Sequence, residues 1–519
     1  MMNSSNNASP YVAIAKIFAT RFAFALIACA SFMLAPAAHA ATTCATSGTD
    51  VTIAANCNFD AGTYTFSGTL TINTGVTVTT TGNTTTGAGV IINTDALVIN
   101  SGAIVSGNSL GYTNASGPGT GGNFSCCSGG GAGGGHGGNG GSGAAQGGAG
   151  GVTYGTVTAP VTLGSRGGGS NFGGGGAGGG AVKFNVLNTF THNGSITMNG
   201  GNGAGQDAGA GSGGSVWVIA GTLAGSGTIT ANGGIGSSSN GGGAGGGRIA
   251  ISGYASGSPT SYTMQSFGGS ASTGAKGGAG TIFYRSSTDA NGTLVVTGNS
   301  FVGSATTQVT TASQTFDNIT VSLGASYVIP SGFTLAVASG GALTGGGNGG
   351  TTQPTLTVSS GGTFNFGVAT ATVSQLNFFN FGTVGTLQNL TLSTSYFGTS
   401  GTYSAGLNDV TVNSGSTFEQ DGVSTMTLTG TLTVQGTLTH GANTTAKSNV
   451  VSISAANIDI QSGGAVSLDG KGYSVASGPA GGAGVSCNSP TGGGGGAHGG
   501  DGGRGSSCGT GGAAYDSPV

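Results

Sequence analysis

Short runs that alternate apolar and hydroxyl side chains dominate the chain. The stretch from Tyr64 to Val78 is typical, because nearly every second residue is apolar, those between are mostly threonine or serine, and glycine interrupts the run. Such alternation is the pattern of a half-buried β-strand. Threonine, valine and isoleucine reinforce it, since their branched side chains favour a pleated surface. The pattern predicts an all-β protein built from short strands.

One strand pattern recurs at a nearly constant period. Four times a glycine run leads into a short alternating strand, whose second residues, spaced 34, 33 and 33 apart, are Val182, Val216, Ile249 and Ile282. Asn-Gly-Gly groups 33 residues apart lie between these strands. A period in this range is typical of a solenoid, in which each unit buries its apolar face only against the next. The sequence therefore predicts a parallel β-helix (β-solenoid) with glycine-rich loops.

The first 40 residues have the pattern of an export signal. Lys16 and Arg21 give a positive region, an apolar stretch follows from Phe22 to Leu34, and Ala38-His39-Ala40 is a small-x-small cleavage site. We therefore predict a signal peptide over 1–40, with a retained anchor helix as the alternative. No later stretch reaches the ~18 apolar residues of a membrane span, so we expect no transmembrane segment in the mature chain.

Changes in composition divide the rest of the chain into four predicted segments. They are N-terminal capping strands over 41–110, a glycine-rich repeat solenoid over 111–289, a β-solenoid with less glycine over 290–450, and an incomplete copy of the glycine-rich segment over 451–519. The copy is inferred because Tyr112, Cys126 and Tyr154 recur 361 residues later as Tyr473, Cys487 and Tyr515. We expect the chain to be a piece of a longer repetitive protein.

Asparagine recurs within the third segment. Asn318 and Asn389 each precede an apolar-Thr-apolar strand. Either they stack at equivalent corners of successive coils, with amides bonded along the stack, or they are ordinary Asx-turn residues.

Charge is nearly absent, and this excludes several classes of function. Glycine supplies 116 of 519 residues, charged residues supply 4%, and the formal net charge is −3. Nucleic-acid binding needs clustered Lys and Arg, and most active sites need clustered titratable groups. We therefore expect no nucleic-acid partner, no cofactor, no metal site and no enzymatic activity.

Cysteine usage agrees with export, because disulfides persist in oxidising compartments and the spacing fits no zinc pattern. We predict that Cys44 pairs with Cys57 and Cys487 with Cys508. The adjacent Cys126 and Cys127 form a vicinal bridge, stay reduced or reach another chain.

The glycine runs contain Gly-Gly-x triplets that place His136, Asn139 and Ser142 at a period of three. Polyproline II has three residues per turn, so two edges of such a helix would be bare glycine that neighbouring backbones can approach. The runs therefore predict either ordered polyproline II bundles or disordered linkers. The edge that carries side chains is expected to be solvated.

With these features the chain resembles the glycine- and threonine-rich passengers of bacterial surface adhesins and autotransporters, which fold as parallel β-helices. Its glycine triplets resemble those of phage tail-fibre tip adhesins and glycine-rich receptor ectodomains. The resemblance implies a secreted, extracellular structural protein or adhesin at the cell surface. Its implied partners are glycans, a host or neighbouring cell surface, or other copies of itself.

The ligand-facing residues expected for such a protein are the aromatics Tyr112, Tyr154, Trp217 and Tyr473; the alternative is that they pack within their own coil. Two other functions remain open. A β-helix polysaccharide-degrading enzyme would use converging carboxylates, of which Asp409, Glu419 and Asp421 are the densest set. An ice- or mineral-binding protein would use threonine rows such as those formed by Thr427/Thr429, Thr431/Thr433 and Thr437/Thr439.

Overall fold

A computed structural model describes most of the chain after the predicted signal segment. The described residues are 42–113, 117–124, 129–237, 240–300, 305–347, 353–474, 477–481, 496–498, 501–502 and 510–515. They form β-strands and one short 3₁₀ helix, Pro259–Ser261. The predicted all-β class is thus confirmed. None of the helical structure in this part of the chain is long and apolar enough to cross a membrane.

The strands are short, as the glycine interruptions predict. Up to the first glycine-rich segment they are β1 Thr42–Thr43, β2 Ser47–Gly48, β3 Val51–Ile53, β4 Cys57–Asp60, β5 Gly62–Phe66, β6 Thr69–Ile72, β7 Thr77–Thr81, β8 Val90–Thr94, β9 Ala96–Ile99 and β10 Ile104–Ser106. In the repeat region they are β11 Ala181–His192, β12 Ser195–Thr197, β13 Ser215–Ala224, β14 Thr228–Thr230, β15 Arg248–Tyr254, β16 Thr263–Gln265 and β17 Thr281–Ser286.

The remaining strands follow residue 290. They are β18 Thr293–Thr297, β19 Thr307–Gln308, β20 Ser313–Ser322, β21 Ser326–Ile329, β22 Thr334–Gly346, β23 Thr355–Val358, β24 Thr363–Asn365, β25 Thr370–Ser374, β26 Asn377–Asn380, β27 Thr383–Gly385, β28 Asn389–Ser393, β29 Tyr396–Thr399, β30 Thr402–Tyr403, β31 Asp409–Val412, β32 Thr417–Gln420, β33 Met426–Thr427, β34 Thr431–Val434, β35 Thr437–Thr439, β36 Ile453–Ser454, β37 Asn457–Ile460 and β38 Ala465–Val466.

Long parallel sheets run through the molecule. One sheet has sixteen strands and includes the path β8-β11-β13-β15-β17, and the others have seven, eight, five and two strands. The predicted repeat is confirmed, because Val182, Val216, Ile249 and Ile282 lie side by side in register on β11, β13, β15 and β17. The second strand of each repeat is in register too, and Ile196 on β12 lies beside Ile229 on β14.

The direction of pairing reverses once among the described strands. β17 pairs with β18 antiparallel, whereas the strands on either side of this junction pair in parallel. The reversal falls where the composition changes from glycine-rich to glycine-poor. A repeat of constant period gives no sign of this reversal.

The inward apolar side chains form two cores that meet near this reversal. One core contains buried residues from Cys44 to Ile282, and the other contains residues from Phe283 to Leu438 together with Val157, Ala250 and Ala279. In-register pairing stacks identical side chains within a core. The rings of Phe378, Phe397 and Phe418 lie within 5° of parallel, with centroids 4.8 and 5.7 Å apart.

The glycine runs in the described part of the chain form an ordered layer joined by backbone hydrogen bonds. Residues 129–138 are buried, although they belong to no strand. Their amides donate to distant runs: Gly134 to Ala210 (2.8 Å), Gly138 to Gly246 (3.0 Å) and Gly141 to Gly243 (2.8 Å). At most positions a Cβ would overlap a neighbouring backbone carbonyl. Glycine is required here because the backbones touch. Of the two outcomes predicted for these runs, order rather than disorder is observed.

Of the two interpretations of Asn318 and Asn389, stacking of one on the other is not observed. Asn318 lies on β20 in the sixteen-stranded sheet and Asn389 on β28 in the five-stranded sheet. Asn389 does join a ladder, because its amide donates to Thr370 Oγ1 (3.0 Å) and its Oδ1 accepts from Asn408 Nδ2 (3.1 Å).

A second asparagine ladder joins Asn108 to the two Asn-Gly-Gly turns that begin at Asn199 and Asn232. Asn108 Oδ1 accepts from the Asn199 amide, and Asn199 Oδ1 accepts from the Asn232 amide, at 2.8 and 2.7 Å. Such bonds satisfy the turn amides of successive repeats.

The duplicated segment shares one backbone contact with its original. The amide of Tyr154 donates to the carbonyl of His136, and that of Tyr515 to the carbonyl of His498, both at 2.8 Å. The ring centroids of these pairs are 4.6 and 4.8 Å apart. The environments differ, because His136 is buried and His498 is exposed, and the two ring pairs are inclined at 39° and 81°.

The predicted disulfide between Cys44 and Cys57 is confirmed. Both residues are buried at the start of the first core, beside the pairing of β1 with β4. Cys487, Cys508, Cys126 and Cys127 lie outside the described residues.

Two adjacent glycines test the backbone packing. A Cβ at Gly175 would overlap the carbonyl of Gly167, whereas a Cβ at Gly174 would meet only the end of the Arg166 side chain at 3.6 Å. We expect Gly175→Ala to lower the free energy of unfolding by about 1–3 kcal/mol or more, because backbone has to move. Gly174→Ala should change it by less than about 0.5 kcal/mol. Denaturant unfolding of both variants is the measurement, and equal effects would contradict close backbone packing.

Candidate functional site

The outward face of the sixteen-stranded sheet carries a candidate surface site. Strand alternation buries Val182 and Phe184 on β11 and turns Lys183 and Asn185 outward. On β13, Trp217 lies beside Lys183 in register. The lysine Nζ is 3.7 Å from the centre of the indole ring, a cation–π contact, and partial burial lowers the lysine pKa.

An amide ladder continues this face. Asn185 Nδ2 donates to Asn93 Oδ1 at 2.7 Å, and Asn93 Nδ2 donates to Thr65 Oγ1 at 3.2 Å. These three residues lie side by side on β11, β8 and β5. The pairing fixes the amides in a row one strand spacing apart.

An open groove of about 520 Å³ lies over this ladder. Its lining combines the amides of Asn93 and Asn185, the carboxylate of Asp95, and the apolar side chains of Leu187 and Ile219. Ile219 is two residues from Trp217 on the same strand face. Hydrogen-bonding amides next to apolar and aromatic surface make a setting that can bind a polyhydroxylated chain.

Trp217, one of the four predicted ligand-facing aromatics, lies on the same strand face as Ile219, which lines the groove. It is partly buried, and its Nε1 is 3.4 Å from Ser252 Oγ. Its indole is held between Lys183 and the adjoining second core. The ring is therefore held in place before any ligand arrives.

The three predicted tyrosines pack against glycine. Tyr154 donates its hydroxyl to the carbonyl of Leu163 (2.5 Å) and accepts from Ser165 (2.8 Å), and burial raises the pKa of its phenol. Tyr112 and Tyr473 lie equivalently, because a Cβ at Gly117 or Gly478 would meet their rings. A ligand role for these three residues stays a prediction.

The three candidate carboxylates divide between two sheets. Asp409 is on β31 in the five-stranded sheet, where its Oδ1 accepts from the Thr431 amide (2.7 Å). Glu419 is on β32 in the eight-stranded sheet and forms an ion pair with Lys471 (3.5 Å). Asp421 lines a groove of about 410 Å³, accepts from the Gly441 amide, and has its pKa raised by burial.

These carboxylates therefore do not form one set of three on a single sheet. Glu419 and Asp421 act on each other electrostatically. Asp409 instead belongs to the asparagine ladder of its own sheet.

A buried polar cluster lies inside the glycine layer, and sequence reasoning missed it. His136, expected on a solvated edge, is fully buried; its Nδ1 is 2.8 Å from Gly213 O and its Nε2 is 2.7 Å from Thr162 Oγ1. The expectation is wrong because a neighbouring run covers this edge. Burial, with a contribution from the Arg248 charge, lowers the pKa of His136 to about 3.

Arg248, at the start of β15, is the second member of this cluster. Its guanidinium is fully buried, Nε donates to Tyr154 O (2.9 Å) and Nη1 to Thr281 Oγ1 (2.9 Å). Burial lowers its pKa to about 10, so it remains a cation at neutral pH. The one signal in the sequence is its place between a glycine run and an apolar strand.

No group of three or more His, Cys, Asp or Glu that could hold a metal ion occurs in the described ranges.

Acid should unfold the protein through His136. Because its native pKa is about 3, the unfolded state binds a proton between about pH 6.5 and 3 that the native state does not. Stability is therefore full above pH 6.5 and falls as the pH drops. At pH 4 we expect a loss of about 3 kcal/mol relative to pH 7 from this residue.

Denaturant unfolding at pH 7 and pH 4 measures this loss. His136→Gln, which cannot titrate, should flatten the dependence. Some pH dependence of the unfolding free energy should remain in this variant, because burial also lowers the pKa of His192, to about 4. Equal acid sensitivity of the variant and the wild type would contradict the assignment.

Comparison of the chain with protein-family models, with curated proteins and with solved structures finds no match in any of the three. The functional argument therefore stands on the geometry of the sheet face and of the buried cluster.

Proposed function

We propose that the protein is a secreted structural protein or adhesin of the cell surface, which binds polysaccharide on the outward face beside Trp217. The observation that carries the proposal is the Lys183–Trp217 contact on the outward strand face, together with the Asn185–Asn93 ladder that lines a groove two residues further along the same face. Sugar rings stack on aromatic surface, and their hydroxyls pair with amides.

The architecture proposed for this display is a parallel β-helix. Its support is that neighbouring strands such as β11, β13 and β15 are separated along the chain by strands of another sheet, as in a coil that returns to the same face once per turn; β17 and β18 are the exception. Stacked turns advance about 4.8 Å each and make a stiff rod. The glycine layer is proposed to be a bundle of polyproline II helices, since many of its amides donate to other runs, as Gly134 does to Ala210 and Gly138 to Gly246.

Export is proposed from the signal-like N-terminus and is supported by the Cys44–Cys57 disulfide, which an oxidising compartment preserves. A scarcity of charged and large side chains leaves few sites for a protease to recognise. Such a chain suits long exposure outside the cell.

The alternative of a polysaccharide-degrading enzyme needs an acid and a second carboxylate facing one substrate. Glu419 and Asp421 are the pair closest to this requirement, but Glu419 is held by Lys471. We therefore favour binding without cleavage.

One observation favours a second candidate function, ice or mineral binding. Thr372, Thr391, Thr411 and Thr433 align on adjacent strands of the five-stranded sheet and face outward. The pairs expected from sequence do not make one array, because Thr427, Thr431 and Thr437 belong to three different sheets.

Polysaccharide binding is tested with residues 41–519 and a panel of soluble and insoluble glycans. Trp217 is the only tryptophan, so its fluorescence reports occupancy directly. We expect Trp217→Ala to weaken binding at least about tenfold, as for a central aromatic contact. Phe172→Ala is the matched control, since this ring is 63% exposed elsewhere on the surface. A wild type that binds no glycan, or equal losses in the two variants, would contradict the proposal.

Ice binding by the aligned residues Thr372, Thr391, Thr411 and Thr433 is tested by freezing-point measurements on the same protein. If it binds ice, the wild type shows thermal hysteresis, and Thr391→Lys abolishes it because a long charged side chain interrupts the flat row. Thr417→Lys, on the eight-stranded sheet, is the control and should leave it intact. Absence of hysteresis in the wild type removes this second candidate and leaves glycan binding unaffected.

A further inference from the structure

The last coil of the described strands, formed by β36, β37 and β38, leaves its inward side chains uncovered. Ile458 on β37 and Val466 on β38 lie in register with the buried Leu432 and Leu438 of the preceding coil. They are nevertheless 54% and 49% exposed, and Ile460 on β37 is 43% exposed. The terminal units of a solenoid normally carry a polar outer face. An apolar terminal face of this kind marks an interaction surface.

The chain contains an earlier copy of this coil. The offset of 361 between the two glycine-rich segments extends upstream without a gap and relates β36, β37 and β38 to β8, β9 and β10. Ile458 corresponds to Leu97, and Val466 corresponds to Val105. In the earlier coil both of these residues are completely buried. The two coils therefore share one inward pattern and differ in whether a further strand covers it.

The structure shows what covers the earlier coil. After the glycine-rich segment, β11 pairs with β8 and β9, and β12 pairs with β10, all in parallel. Phe190 on β11 lies beside Leu97 in register, and Ile196 on β12 lies beside Val105. A strand–turn–strand segment with apolar residues at these two positions is thus the cover that this inward pattern accepts.

The glycine-rich segments of the two copies differ in the same way. His136 is buried because Gly213, on a run that follows β12 in the chain, lies against its Nδ1 at 2.8 Å. The counterpart of His136 in the later copy, His498, is exposed. In the described part of the later copy, both the coil and the glycine-rich segment are therefore without the cover that the earlier copy has.

We propose that β36, β37 and β38 form a docking surface for a strand–turn–strand segment of another polypeptide, which adds in parallel as the next coil. The partner has the chemistry of residues 181–197, with an apolar side chain over Ile458 and another over Val466. Addition of a strand to a sheet edge supplies main-chain hydrogen bonds, and the alternate side chains give specificity. This proposal does not depend on glycan binding beside Trp217.

A second copy of this chain is a poorer fit to the surface than a separate partner. Its own β11 is already paired on both sides, with β8 and β9 on one and with β13 on the other. At the other end of the strand stack, β1 and β2 carry no apolar side chain, and Ile53 on β3 is already buried.

A synthetic peptide of residues 181–197 tests the surface on the protein of residues 41–519. We expect saturable binding of the labelled peptide by fluorescence anisotropy, and slower hydrogen exchange of amides in Asn457–Ile460 because parallel pairing bonds them. A peptide with Phe190→Asp and Ile196→Asp should bind at least about tenfold more weakly, since it would bury charge. No saturable binding of the unchanged peptide, or equal binding of the two peptides, would overturn the proposal.

Variants of the protein locate the bound peptide. Ile458→Asp should weaken binding at least about tenfold and leave the protein folded, because this side chain is already exposed. Val152→Asp is the matched control, since Val152 is 57% exposed elsewhere, and it should bind as the wild type does. Unchanged binding by Ile458→Asp, or an equal loss in Val152→Asp, would contradict the assignment.

Sedimentation of the protein without peptide tests the remaining occupant. A monomer is expected if the partner is a separate polypeptide. Dimers or longer assemblies that Ile458→Asp dissociates would identify a second copy as the occupant and would overturn the proposal.

Discussion

Direct contact between one backbone and another is the interaction on which this structure depends. In the sheets it takes the form of parallel pairing in register. In the glycine layer it takes the form of amide–carbonyl bonds between runs so close that a Cβ would overlap its neighbour. Glycine loses more backbone entropy on folding than other residues do. The layer is stable only because each run is buried and bonded on several sides at once.

Parts of the fold that depend on period alone were predictable from sequence. Val182, Val216, Ile249 and Ile282 are in register because equal spacing along the chain becomes equal position in the stack. The bond between Cys44 and Cys57 was predictable because few other pairings close so short a loop.

Features that depend on which segment of the chain packs over a given side chain were not predictable from the sequence. The triplet pattern places His136 on one edge of its run but does not say that another run covers that edge. The antiparallel pairing of β17 with β18 depends on the path of one connection, which carries no periodic signal. Arg248 has the sequence context of an ordinary strand start after a glycine run. Its burial follows from the glycine layer that packs against it. Trp217 was identified by residue type, but the residues that contact it, Lys183 and Ser252, come from other strands 34 and 35 residues away in sequence.

The distribution of polar chemistry follows from the same constraint. The glycine layer is packed backbone to backbone and has no room for a solvated site. The few charged groups within it are therefore enclosed, as Arg248 is. The outward faces of the strands are where register turns single polar residues into rows. This division fits the proposed role of displaying a binding surface.

Hydrogen exchange of the backbone amides in residues 129–151, followed by mass spectrometry, tests the central claim most directly. If the runs are bonded to one another as described, these amides exchange as slowly as those of strands β11 and β13, because they open only when the layer unfolds. Exchange at the rate of an unstructured peptide of the same sequence would show that the glycine runs are linkers and would contradict the account.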